Sequence, residues 1–443
     1  MSHRAHALVL AAAIASGCQA LDSAIPRQPA IADIPFAGDR PDAPPLEQRG
    51  NGTFLFASYD PSGKYLITVP FMGPPAGLIS WDATTGELLS HIRFQIPMYS
   101  KPIWMLDGTR GRILAKESMG DHYRLVDLKS GQAVAELPDD PAADPKHPAF
   151  AVGLVADGNE VLLFKPGWLE VWQLDPMKLV RRRPSPWAVD HYIPGCVGGI
   201  PATYNDQRCW EWSPDRRTIA VADTPVFSPT SPTQFQLIDA TTLDVQELTL
   251  PPDDSAGELA SFAFSPDNRW LAIGLHRKML LYDRIARSWG ASVQGDHKRS
   301  PLVGPMRFTA DSRRVITLED QLQVSVYDVA TGARLGRHVP AFENWEGAFK
   351  VSDDGSRIVI YKFVSDTFEV LDGNNAARLG FVCPYFCNLK HNPADSPYAV
   401  SPDGRSVAIS QRRGTAIWDT ATDTIRVALR DPLRKPLPYP YGK

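Results

Sequence analysis

The chain has 443 residues, 43% of them hydrophobic and 22% charged, a balance that excludes an intrinsically disordered protein and allows a sizeable core. Lysine and arginine number 46 against 50 aspartate and glutamate, so the chain has neither the basic footprint of a nucleic-acid binder nor an acidic tail. Length alone suggests about three average domains, a prior that an internal repeat overrides; the 32 glycines and 40 prolines, spread along the chain as turn punctuation, favour many short strands over long helices.

The first segment, 1–17, reads as a signal peptide: Arg4 precedes a short apolar run from Ala7 to Ala15 that is too short to span a membrane as a helix. The small residues that follow, Ala15-Ser16-Gly17 before Cys18, resemble the lipobox of bacterial lipoproteins, with Ala where Leu is commonest. The resemblance implies that Cys18 becomes the first mature residue and carries lipid. It also implies an outer-membrane address facing the periplasm, because Gln19 stands where the inner-membrane retention signal places Asp. Residues 18–51 then form an anchor and linker holding Pro26, Pro29, Pro35, Pro41, Pro44 and Pro45. As a flexible coil it would span roughly 30 Å and hold the body clear of a membrane.

Residues 52–430 repeat. An apolar strand, a turn rich in Ser, Pro, Asp and Gly, a second strand, a loop, a third strand ending aromatic-Asp and a fourth strand recur at intervals of roughly 40 to 60 residues. The turn falls at Ser62, Asp107, Asp157, Asp215, Asp267, Asp311, Asp354 and Asp403, which predicts eight units, with seven and a degenerate one as the alternative count. Pro-Asp-Gly chemistry suits a tight turn, since Pro presets φ, Asp bonds its own backbone and Gly accepts positive φ. An apolar residue precedes each turn by three positions (Tyr59, Trp104, Leu154, Trp212, Phe264, Phe308, Val351 and Val400) and predicts a buried strand end. The third strands close on Trp81-Asp82, Val126-Asp127, Trp172-Gln173, Ile238-Asp239, Tyr282-Asp283, Tyr327-Asp328, Leu371-Asp372 and Trp418-Asp419. Where the Asp is kept, it can accept backbone N–H groups of the next turn. Alternation in Val315–Leu318 and Val324–Tyr327 supplies the strand period of two. Residues 431–443 are a Pro-rich tail.

These units resemble the blades of WD-repeat β-propellers over roughly residues 53 to 430. The resemblance implies an all-β propeller, most simply of eight four-stranded blades, that closes into a ring because one blade cannot bury both its faces. The Gly-His dipeptide of that family is missing, so its His-centred hydrogen-bond network is not expected. Quinoprotein dehydrogenases are also eight-bladed, but their docking Trp is replaced by Leu89, Val134 and Leu335, which removes that enzyme reading.

No zincin, nucleophile-elbow, phosphate-loop or haem motif is present, and the histidines are scattered, so neither a catalytic set, a metal site nor a cofactor is expected. Arg181, Arg182 and Arg183 read as a solvated basic face. With Cys18 lipidated, Cys196, Cys209, Cys383 and Cys387 remain. An even number in an exported chain points to two disulfides; proximity favours Cys196 with Cys209 and Cys383 with Cys387 among the three possible pairings. Both pairs fall in insertions between the second and third strands or between units, and in a propeller those connections emerge on one face. Trp187, His191, Tyr192, Phe227, Trp345, Tyr385 and Phe386 lie in the same insertions and are the candidate partner-binding residues. The expected function is a non-catalytic, lipid-anchored envelope scaffold that binds a protein partner through this face. An envelope lyase or hydrolase, or a glycan or peptide binder at the propeller mouth, is the alternative.

Overall fold

The structure, a computed structural model, describes residues 54–70, 77–93, 104–107, 110–116, 123–137, 150–155, 158–165, 167–185, 210–223, 234–251, 259–275, 278–294, 306–318, 323–339, 347–362, 367–382, 398–411 and 414–429. They form eight four-stranded antiparallel sheets, each built from four consecutive strands. The blades span 54–93, 104–136, 150–184, 210–248, 259–294, 307–338, 347–382 and 398–428. The count of seven is therefore excluded, and the expected all-β propeller is what the chain forms.

The first turn of a blade shows how local chemistry makes the unit. In blade 5, Ser265 Oγ donates to Asp267 Oδ1 at 2.5 Å and accepts from the Trp270 backbone N–H at 2.8 Å. The Arg269 N–H closes the turn on the same carboxylate oxygen. Ser213 and Asp215, Thr309 and Asp311, Ser352 and Asp354, and Ser401 and Asp403 repeat the arrangement. Blade 1 reverses it: Asp60 takes the serine position, receiving Ser62 Oγ at 2.5 Å and the Tyr65 N–H at 2.8 Å. The turn tolerates the exchange because it needs one hydroxyl and one carboxylate, whichever comes first. Asp157 lies outside the described residues.

At the third-strand ends the seven aspartates behave as expected. Asp82 Oδ1 takes the N–H groups of Thr84 and Thr85 at 2.8 and 2.9 Å, and Asp127, Asp239, Asp283, Asp328, Asp372 and Asp419 do likewise. The exception, blade 3, connects its third strand Trp168–Leu174 to its fourth, Met177–Pro184, directly through Asp175 and Pro176.

The core is eight apolar clusters, one at every junction between neighbouring blades. Leu271, Ile273 and Leu280 of blade 5 face Phe235 and Leu237 of blade 4, whereas Ala272, Met279 and Leu281 face Val315 and Tyr327 of blade 6. Both faces of each sheet are thus covered, which is why the middle strands read as continuous apolar runs. The same fact corrects the simple alternation expected for Val315–Leu318 and Val324–Tyr327: Thr317 and Ser325 are as buried as their apolar neighbours. The residues before the first turns divide. Tyr59, Leu154, Phe264 and Phe308 are buried, while Trp212, Val351 and Val400 are half-buried, since the innermost strand keeps a free edge toward the centre of the ring.

Blade 8 meets blade 1 through Ala399, Ala408, Ile417 and Leu429 against Ala57, Tyr59, Leu66 and Trp81. Among the described residues no strand is exchanged across the seam, and side-chain packing joins the two blades. Trp81 Nε1 donates to Thr68 Oγ1 at 2.8 Å within blade 1, which gives its buried indole N–H a partner.

Stability should fall in acid. The Arg269 guanidinium beside Asp283 holds that carboxyl below the usual range against the opposing effect of burial, and the Thr331 hydroxyl and N–H do the same for Asp328. At Asp419 burial works upward and is outweighed by the N–H groups of Thr422 and Ala421. A carboxyl whose pKa is lowered on folding stabilises the protein fully above its unfolded value, about 3.9, and loses that contribution as pH drops through the lower folded value. Urea midpoints should therefore be flat above about pH 5 and fall below about pH 4, with Asp328→Asn falling less steeply than wild type. Identical pH profiles for the two proteins would contradict the assignment.

Candidate functional site

The two ends of the ring differ in construction. On the short-turn end, the first turns of blades 4 to 8 are tied to one another. The Asp215 N–H donates to Asn268 Oδ1 at 3.5 Å and the Asp267 N–H to Ser312 Oγ at 3.1 Å, while Ala310 N–H donates to Asp354 O and Asp354 N–H to Pro402 O. Rotation of one blade against the next would break these bonds, so this end is a braced floor.

The opposite rim carries the strand ends from which the variable connections leave: Pro184 and Trp210, Asp223 and Gln234, His338 and Gly347, Val382 and Tyr398. Antiparallel pairing within the blades brings all of them to one rim. The candidate residues Trp187, His191, Tyr192, Phe227, Trp345, Tyr385 and Phe386, the cysteines Cys196, Cys209, Cys383 and Cys387, and Cys18 lie outside the described residues. The topology thus joins the anchors of these four separate sequence segments on a common rim.

Blades 3 and 7 each carry a buried glutamate at the same place in the third strand, two residues before its closing pair. Glu170 is 3% exposed and receives Lys165 Nζ at 3.0 Å, Trp172 Nε1 at 2.8 Å and Arg182 Nε at 3.2 Å. The Arg182 guanidinium in turn lies 3.8 Å from the centre of the Trp168 ring. Glu369, fully buried, faces His338 Nε2 of blade 6 at 3.3 Å and Arg378 Nη1 at 3.9 Å. With its donors already in place, Glu170 is a strut holding blade 3 together. Neither glutamate was legible as a site residue; the only trace in the sequence is a carboxylate in an otherwise apolar strand.

Arg182 and Arg183 are exposed and Arg181 is half-buried, as a solvated face requires, but the charges of the run are paired. Arg181 pairs with Glu160, Arg182 with Glu170, and Arg183 reaches blade 4, bonding Asp244 and the Leu243 carbonyl. Strand pairing brings those acids opposite the arginines across distances in sequence that the local charge pattern does not show. At the centre of the ring, Arg307 Nη1 of blade 6 lies 3.4 Å from Glu211 Oε1 of blade 4, reaching past the innermost strand of blade 5. Among the described residues, no group of three or more His, Cys, Asp or Glu is placed to hold a metal ion.

No protein-family model and no curated protein sequence matches the chain. Solved structures do. The C-terminal WD40 domain of Sif2 superposes with a TM-score of 0.50 at 11% identity, covering 81% of this chain and 93% of that one. Kluyveromyces lactis Hsv2 gives 0.48 at 9% identity over 72% and 93% of the two chains. The dihydro-heme d1 dehydrogenase NirN gives 0.47 at 15% identity over 71% and 62%. At these identities the likeness is one of fold. The molecule is a β-propeller with the architecture of WD40 domains, and fold alone does not fix function.

Proposed function

We propose that this protein is a non-catalytic interaction scaffold of the cell envelope, tethered by lipid on Cys18 and binding a protein partner through its loop-rich rim. The observation that carries the reading is the contrast between the two ends: a floor of short turns bonded to one another, and a rim from which every long connection leaves. Repeat proteins present binding surfaces on the side where insertions collect. In this reading the cysteine pairs Cys196 with Cys209 and Cys383 with Cys387 brace the rim loops and lower the cost of ordering them on binding.

The test is capture of partners from envelope membranes solubilised in mild detergent, with binding and melting measured on the same variants. Trp187→Ala with Tyr192→Ala, or Tyr385→Ala with Phe386→Ala, should weaken partner binding 10-fold or more, about 1.4 kcal/mol, with little change in melting. Asp267→Ala on the opposite end should cost about 1 kcal/mol of stability and leave binding intact. Cys18→Ser should move the protein to the soluble fraction. Rim variants that melt early yet bind normally once folded would overturn the choice of face, and turnover of a small substrate by the purified protein would replace the scaffold with an enzyme.

A further inference from the structure

The outermost strand of blade 3, Met177–Pro184, differs from those of the other blades. It has eight residues where theirs have four to seven, and Lys178, Arg181, Arg182 and Arg183 make it strongly basic with no acid of its own. One edge pairs with the third strand, Trp168–Leu174. Among the described residues, the N–H and C=O groups of the other edge meet no further strand. Leu179 and Val180 are exposed along it. A long, open and partly apolar edge is a ready template for another strand.

The charges decide what can lie there. A second copy of the same strand would set cations against cations, which disfavours self-pairing. Arg181 and Arg183 are answered by Glu160 and Asp244, whereas the partner of Arg182, Glu170, also holds Lys165, so a single carboxylate is divided between two cations. The Arg182 guanidinium is nonetheless fixed in place. Its Nε lies 3.2 Å from Glu170 Oε1 and its central carbon 3.8 Å from the centre of the Trp168 ring. Nη1 and Nη2 hold no hydrogen bond, and the side chain is 46% exposed. Two such N–H groups form a fork that matches a carboxylate, and a guanidinium already stacked and anchored loses little freedom when it binds one. Trp168 is exposed as well, and Trp and Arg are the residue types that dominate interface hot spots. One open fork suits a peptide carboxylate better than a lipid surface, which draws on several unpaired cations.

The register gathers these groups. Trp168 stands opposite Pro184, Glu170 opposite Arg182 and Trp172 opposite Leu179, so Trp168, Arg182 and Leu179 share one face of the sheet. Trp168 begins the third strand and Pro184 ends the fourth, which puts the stacked pair at the loop-rich end of the blade.

We propose that the outermost strand of blade 3 is the docking edge for an extended, acidic segment of the protein partner, which adds to the blade as a fifth strand and places a carboxylate on Nη1 and Nη2 of Arg182 beside Trp168. The inference rests on the reading of the rim as the partner-binding end, and it gives that partner a chemistry: apolar and acidic side chains in alternation on an unfolded or edge segment.

The test is fluorescence polarisation of the full chain with a capped, labelled peptide of alternating valine and glutamate, matched in length to the strand. Wild type should bind it saturably, and should bind neither the lysine analogue nor an analogue with proline in place of valine, which cannot donate to the edge. Arg182→Gln should weaken binding at least tenfold, and so should Arg182→Lys, which keeps the charge and loses the fork. Trp168→Leu should weaken it too, with melting close to wild type in all three. Arg287→Gln, the same charge change on an exposed turn of blade 5, should leave binding unchanged. No saturable binding by wild type, full binding by folded Arg182→Lys, or displacement of the peptide by phosphatidylglycerol vesicles would each overturn the proposal. The capture experiment separates it from the rim reading. A partner lost by Trp187→Ala with Tyr192→Ala but retained by Arg182→Gln overturns this inference alone; peptide binding that depends on Arg182, in a protein that captures no partner, supports the edge and overturns the rim reading.

Discussion

Gly86→Ala is expected to destabilise the ring by about 3 kcal/mol, through two effects that can be separated. Gly86 has φ +72° and lies against the outer strand of blade 8. A Cβ there would stand 2.1 Å from Val427 Cγ1 and 2.9 Å from the Ala428 carbonyl oxygen. The left-handed backbone alone costs a non-glycine residue about 1 kcal/mol, and forcing a methyl into a filled junction adds about 1 to 3 kcal/mol. Gly63 has the same φ, but its nearest atom to a new Cβ is Pro402 Cδ at 3.5 Å, an ordinary contact. Gly63→Ala should therefore cost only the backbone part, about 1 kcal/mol. Urea midpoints of the two variants measure the difference. Equal losses would mean that the seam yields freely and that packing alone does not close the ring.

Glu170→Ala should cost about 3 kcal/mol, because it strands Lys165 and the Trp172 N–H beside an apolar junction. The Arg182 arm contributes little of this, since Arg182 is 46% exposed and solvent takes over its pairing. Most of the loss should return in the double variant Glu170→Leu with Lys165→Met, which replaces the buried pair by apolar groups of similar bulk. If the single variant loses less than about 1 kcal/mol, the carboxylate is not holding the strand pair together. A double variant no more stable than the single would show that neither the stranded charge nor the lost volume at this pair accounts for the loss.

The blade unit was legible in the chain because its determinants are local. A turn closed by a hydroxyl and a carboxylate two residues apart, as at Ser265 and Asp267, and an aspartate that collects the next N–H groups, as at Asp82, complete their bonds within a few residues, so spacing alone marks them. Eight repetitions of such a unit then determine eight blades, and the positions of the insertions determine which rim is loop-rich. Even the reversed pair Asp60 and Ser62 fits, since the turn asks for two groups and not for an order.

What lies between blades was decided only by the tertiary structure. The sequence shows that Thr317 and Ser325 alternate with apolar residues; it does not show that a second blade covers them. It presents Arg181, Arg182 and Arg183 as an uncompensated run, because their partners Glu160, Glu170 and Asp244 reach them through strand pairing and blade contact. The closure of the ring follows the same logic. Whether the ends of a propeller exchange a strand or meet by packing depends on where Phe54 and Ala428 arrive in space, and this chain completes both terminal blades from its own ends. Gly63 and Ala83 of blade 1 line one cavity with Asp403 and Arg426 of blade 8, far away in sequence. Short-range hydrogen bonds encode the blade in consecutive residues; contacts between blades join residues that only the closed ring brings together.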